Sequence, residues 1–138
     1  MTILTCGVGT EGIRLSRKFG NKVKVLLVED HGTTRLAMAR LLREAGAEVT
    51  SARDGEEGLR LLLGERFDVL LTDLRMPGMD GFELIAQATK LPEWQRPGRV
   101  IAISGEYEAT ALSGVAVGFL AKPFDLDRLL DMLAGKPN

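Results

Sequence analysis

Residues 69–81 read Val69-Leu70-Leu71-Thr72-Asp73-Leu74-Arg75-Met76-Pro77-Gly78-Met79-Asp80-Gly81. The apolar run Val69-Leu70-Leu71 has the unbroken character of a parallel strand covered on both faces. Pro77 and Gly78 break it and force a turn. Asp80 then caps a helix, with Glu83 three positions on as the capping-box partner. Asp73 is thus a carboxylate at the carboxyl end of a buried strand. In open α/β sheets that is where ligands bind.

The chain of 138 residues has the size of one domain with a real core. Apolar content of 45% and charged content of 27% are ordinary for a globular protein, and the net charge of −1 gives no basic footprint for nucleic acid. Cys6 stands alone, which excludes an internal disulfide and fits a reducing compartment. No apolar run approaches the ~18 residues of a membrane span, and the first residues lack the pattern of a secretion signal. A cytoplasmic protein without membrane contact is expected.

Residues 1–21 read as a flexible leader. Gly7-Val8-Gly9-Thr10-Glu11-Gly12 matches the spacing of a dinucleotide fingerprint, but the stretch before Gly20 is too short for the crossover helix that motif needs. Strands are expected over Val23–Val28, Ala47–Ser51, Phe67–Thr72, Arg99–Ile103 and Val115–Leu120. Between the first two lies a helix with Met38, Leu41, Leu42 and Ala45 inward, closed by Gly46 in the left-handed region. Asp54 starts a second helix with Leu59, Leu62 and Leu63 inward. A third spans Gly81–Lys90, a short helical piece surrounds Glu108–Leu112, and Asp125 starts a last helix striped by Leu126, Leu129, Leu130 and Leu133. Strands alternating with helices give a five-stranded parallel sheet wrapped on both faces.

Four strand ends carry polar groups: Glu29 with Asp30, Asp73, Ser104 and Lys122. Singly, each has an ordinary explanation as a helix cap, a turn residue or a solvated ammonium. Together they fall on one edge of the sheet. Carboxylates sharing a pocket repel unless a cation joins them, and an oxygen-only ligand set favours Mg²⁺ over Zn²⁺. A carboxylate so placed can attack phosphorus to form an aspartyl-phosphate. Phosphoryl transfer needs alignment and neutralisation of the equatorial oxygens, which Mg²⁺, Lys122 and the Ser104 hydroxyl can share. Gly105 leaves space for the incoming group. His31, next to the acids, reads as a helix-start residue near solvent, and Met76 and Met79 as packing residues.

Val25–Asp30, the Asp73–Gly81 motif, Ser104-Gly105 and Phe119-Leu120-Ala121-Lys122-Pro123-Phe124 resemble the receiver domain of two-component response regulators. The resemblance covers about residues 22–134 and leaves 135–138 as a tail. It implies a flavodoxin-like, doubly wound sheet of order 2-1-3-4-5 with five helices. It further implies that Asp73 takes phosphate from a sensor histidine kinase or phosphotransfer protein. By the same resemblance Asp30 binds Mg²⁺ directly, Glu29 through water, and the Arg75 backbone carbonyl serves as a further ligand. Ser104 and Phe119 match the family's switch pair. The fourth helix, fifth strand and fifth helix form its usual face toward a downstream protein target.

Two features depart from the family, one of them that Phe119 lacks the hydroxyl many relatives carry there. Lys122 follows Ser104 by eighteen positions, fewer than usual, which implies a shortened fourth helix. Arg75 and Glu106 occupy positions that tune phosphate lifetime, and their opposite charges are expected to pair and hinder attacking water. The expectation is a phosphorylation-switched binding module with no output domain, at most slowly self-phosphorylating and self-dephosphorylating, not an enzyme. The competing readings are a receiver from a hybrid sensor kinase, a phosphorylation-independent adaptor, and an Asp-nucleophile phosphatase. The last typically has a second acid where Arg75 stands.

Overall fold

The structure, a computed structural model, describes residues 22–104, 118–121 and 126–133. Five strands, β1 (Lys24–Val28), β2 (Glu48–Ala52), β3 (Val69–Asp73), β4 (Arg99–Ser104) and β5 (Gly118–Ala121), form one parallel sheet of order β2-β1-β3-β4-β5. Helices α1 (Gly32–Glu44), α2 (Gly55–Gly64), α3 (Gly81–Thr89) and α4 (Leu126–Leu133) connect and cover it. This is the doubly wound, flavodoxin-like arrangement expected from the sequence. The leader 1–21, the helical piece around Glu108–Leu112 and the tail 135–138 lie outside the described residues.

Strand side chains alternate between faces, so the central apolar runs feed two separate cores. Val25, Leu27, Val69, Leu71, Ile101, Ile103 and Leu120 pack under α1 and α4 with Met38, Leu42, Leu129 and Leu130. Leu26, Val28, Leu70, Val100 and Ala102 pack under α2 and α3 with Leu62, Phe67, Leu84 and Ile85. At the amino end of the sheet Asp68 ties three strands. Its Oδ2 accepts the Lys24 amide at 2.8 Å, its own amide donates to the Lys24 carbonyl, and its carbonyl accepts the Arg99 amide.

Capping follows the sequence. Asp54 Oδ1 accepts the Glu57 amide at 2.8 Å and Asp80 Oδ1 the Glu83 amide at 2.9 Å. Gly46 takes φ 107° after α1, the conformation that favours glycine. Two helix faces differ from expectation. Leu41 is 42% exposed and Leu63 is 57% exposed. In α1 the buried arc runs through Met38, Ala39 and Leu42, and Leu41 lies beyond its edge. In α2 the buried arc is Gly55, Gly58 and Leu62, with Leu59 partly covered. Gly58 brings the helix against Val28, whose Cγ2 would stand 3.0 Å from a Cβ there.

The turn after β3 is closed by glycines that admit no side chain. A Cβ on Gly81 would lie 2.3 Å from the Asp73 carbonyl oxygen and 2.7 Å from the Leu74 Cα. A Cβ on Gly55 would lie 2.3 Å from the Met79 carbonyl oxygen. Gly78, at φ 72°, turns the chain between them. Gly81→Ala is therefore expected to cost about 1–3 kcal/mol or more, since backbone rather than a flexible side chain must move. Gly64→Ala, with nothing within 4 Å of the new Cβ, should gain about 0.4–1 kcal/mol through the unfolded chain. Urea unfolding of the two variants side by side checks both signs.

Candidate functional site

The parallel register decides which strand ends meet. Val28 of β1 pairs with Thr72 of β3, so Glu29 follows β1 beside Asp73. Asp73 pairs with Ile103 of β4, and Ser104, one residue on, pairs with Ala121 of β5. The carboxyl ends of four strands thus lie in a row along one edge. Lys122, the residue after β5, lies outside the described residues, as do Gly105 and Glu106.

Glu29, Asp30 and Asp73 come together. One carboxylate oxygen from each lies within 4.8 Å of the others. Glu29 is 2% exposed and Asp73 7% exposed; Asp30 is the most accessible of the three. Buried carboxylates need compensation, and part of it comes from backbone amides. Glu29 Oε2 accepts the His31 amide at 3.1 Å, and Asp73 Oδ1 accepts a long bond of 3.4 Å from the Arg75 amide. The acid pair after β1 is not a helix cap of the ordinary kind, because the N-cap of α1 is His31. His31 is exposed at the start of that helix, Met76 is buried, and Met79 packs on the core under α2 and α3.

These three acids suit a small hard cation. Every donor is oxygen, and ligands on opposite sides of one Mg²⁺ stand about 4 Å apart, close to the spread seen here. Arg75 is exposed, with its amide directed at Asp73. Ser104 is 2% exposed. Phe119 is half-buried on β5, in register with Ala102, so it shares a sheet face with Ser104 two residues along β4.

Two contributors escaped the sequence reading. Thr72, fully buried, donates its hydroxyl to the Asp73 carbonyl at 2.8 Å. Its signal is a hydroxyl residue at the end of an otherwise aliphatic run. Arg35 donates from Nη1 to the Glu29 carbonyl at 2.9 Å. A lone basic residue one turn into the helix after the acid pair is a faint signal for it.

Comparison with known proteins gives the family. The family described as "Response regulator receiver domain" matches residues 25–134. The Escherichia coli K12 sensor protein EvgS is 36% identical over 115 residues, covering 78% of this chain and 9% of that protein. The crystallised Vibrio cholerae chemotaxis protein CheY4 is similar with a TM-score of 0.72 at 32% identity, covering 83% of this chain and 98% of that one. The receiver domain of the hybrid histidine kinase CckA is similar with a TM-score of 0.68 at 35% identity, covering 81% and 96%. The chain spans less than half the length of the sensor proteins and transcriptional regulator it matches. Among the described residues no helix is long and apolar enough to cross a membrane. With the family matched over most of its length, the chain belongs to the response regulator receiver domains of two-component signalling.

Proposed function

We propose that Asp73 accepts a phosphoryl group from a histidine kinase or phosphotransfer protein in a Mg²⁺-dependent reaction, and that the modified domain changes its affinity for a protein target. The observation that carries this reading is the meeting of Glu29, Asp30 and Asp73 beside Ser104 at the carboxyl edge of the sheet. In this reading Asp30 and Asp73 hold the ion, with Glu29 acting through water and the Arg75 carbonyl as a further ligand. When bound, Mg²⁺ supplies charge neutralisation at a phosphoryl oxygen. The chain's own groups do the rest. The β3 strand and the glycine-closed turn hold the Asp73 carboxylate in a fixed place, available for attack on phosphorus in line with the leaving nitrogen of a phosphohistidine. Ser104 donates its hydroxyl to a phosphoryl oxygen, Lys122 supplies a point charge to another, and Phe119 turns inward as Ser104 moves. The domain is a phosphoacceptor rather than an enzyme, with slow self-catalysed gain and loss of phosphate.

A receiver within a hybrid sensor kinase is a second reading. The matches to the sensor protein EvgS, the sensory/regulatory protein RpfC of Xanthomonas campestris and the CckA receiver favour it. It changes the donor from a separate kinase to one in the same polypeptide and leaves the chemistry at Asp73 as above.

Incubation with acetyl phosphate and Mg²⁺, followed by intact mass, tests the acceptor. The expected result is one phosphoryl adduct on the native chain and none on Asp73→Asn or when Mg²⁺ is chelated; an adduct on both chains would place the acceptor elsewhere. The opposite charges of Arg75 and Glu106 are proposed to shield the phosphoryl group from water. An exposed pair is worth under about 1 kcal/mol, so Arg75→Ala and Glu106→Ala should each shorten its lifetime by no more than about fivefold. Unchanged lifetimes in both would remove that pair from the account.

A further inference from the structure

The turn that carries Asp30 is held differently from its counterparts. α2 and α3 each begin with an aspartate that caps the helix through its side chain and each has at least one acid in the first turn. α1 starts beside the acidic group and has neither: His31 makes no side-chain cap bond, and the first turn contains no acid. Arg35 reaches back one turn instead. Its Nη1 donates to the Glu29 carbonyl at 2.9 Å, while its own amide donates to the His31 carbonyl at 2.8 Å. Glu29 Oε2 accepts the His31 amide at 3.1 Å, and the Glu29 amide donates to the Ala52 carbonyl at 3.1 Å. Asp30 sits inside this closed set of bonds. The guanidinium passes beside Gly32, where a Cβ would stand 3.7 Å from Nη2.

We infer that Arg35 is a positioning residue for the divalent cation: it fixes the Glu29–His31 turn so that the Asp30 carboxylate faces Glu29 and Asp73 before the ion arrives. The inference rests on the reading of this acidic group as a Mg²⁺ site. Guanidinium suits the task because it is planar and always charged, and it offers several donors from one rigid fork. Its bond goes to a backbone carbonyl, so it need not occupy the carboxylate oxygens the ion requires. An aspartate cap at residue 31 would fix the helix start equally well but would add a fourth carboxylate to the cluster. An arginine tie does the same work with the opposite charge.

A matched control lies on the same helix. Arg43 Nη2 donates to the Val49 carbonyl at 2.9 Å, also part-buried and also six residues away in sequence, at the far end of α1 from the acids. Isothermal titration of the whole chain with MgCl₂ should show R35Q binding about tenfold more weakly than native, as expected for loss of a group that orients a metal ligand. R43Q should stay within about twofold of native although it loses an equivalent bond, and R35K should recover part of the affinity. Amide exchange measured without Mg²⁺ should quicken at Asp30 and His31 in R35Q and not in R43Q. Equal affinities in R35Q and R43Q would overturn the inference, as would tighter binding in R35Q, which would make the guanidinium only a repulsive charge. If R35Q does not fold, R35K carries the test, with an unchanged affinity again overturning it. A native chain that binds no Mg²⁺ would instead overturn the reading of the site itself.

Discussion

Three carboxylates with oxygens inside 4.8 Å of one another are the constraint around which this fold is built. At that spacing each pair of negative charges repels by about 3–4 kcal/mol at an effective dielectric near 20. Three such pairs would consume most of the ~5–15 kcal/mol by which a domain of this size is stable. The surrounding structure must therefore offset that repulsion, most of all for the buried Glu29 and Asp73. Backbone amides of His31 and Arg75 offset part of the repulsion. A hard dication, when bound, would offset more, since it would act on all three charges at once.

What holds the acids in place is a pair of adjacent central strands. β1 and β3 are parallel neighbours, buried on both faces, with Leu26, Leu27, Leu70 and Leu71 all within 1% of complete burial. Neither strand can slip by a residue without moving its aliphatic set to the opposite core. That register is what turns two acids distant in sequence into neighbours. The turn after β3 adds a second lock. With Gly81 against the Asp73 carbonyl and Gly55 against the Met79 carbonyl, α3 and α2 bear on the loop that follows the acid. Thr72 secures the same carbonyl from the strand side. Asp73 is thus held through its backbone by the β3–β4 ladder, the close approach of Gly81 and the Thr72 hydroxyl.

Much of this could be read from residue order because the decisive signals are coarse. Unbroken runs such as Val69-Leu70-Leu71 mark central parallel strands, and Asp54 and Asp80 mark helix starts whose caps form as expected. Strand alternation with helices then leaves few topologies. The readings that failed depended on helix orientation. Leu41 and Leu63 fit an apolar spacing, yet α1 turns Ala39 toward the sheet, and α2 sets Gly58 against Val28 and Gly55 against Met79 of the turn after β3. Close approach through small residues outweighed the burial of one more leucine in each case. Periodicity counts large apolar side chains and cannot register an interface made by their absence. Arg35 escaped for a related reason: its bond is to a backbone carbonyl, and no side-chain pattern announces such a partner.

The same geometry divides the sheet into a fixed side and a freer one. Among the described residues β1 and β3 have strand neighbours on both edges, whereas β5, Gly118–Ala121, has only β4. At its start Gly118 lies where a Cβ would stand 2.8 Å from Met132 Cε, so even there the close contact is with the end of a flexible side chain. Phe119 is half-buried at the margin of the core under α2 and α3, whereas the aliphatic residues of β1 and β3 have no accessible surface to trade. A change in charge at Asp73 can hardly be absorbed by the strands that hold it, because any shift there breaks two ladders and two packed cores. It would be absorbed at lower cost where one ladder and a partly covered ring are all that must adjust. Ser104 at the end of β4 stands between these two regimes, one strand from Asp73 and one from Phe119. Two ladders around the acids and a single ladder at β5 are thus two consequences of one strand order.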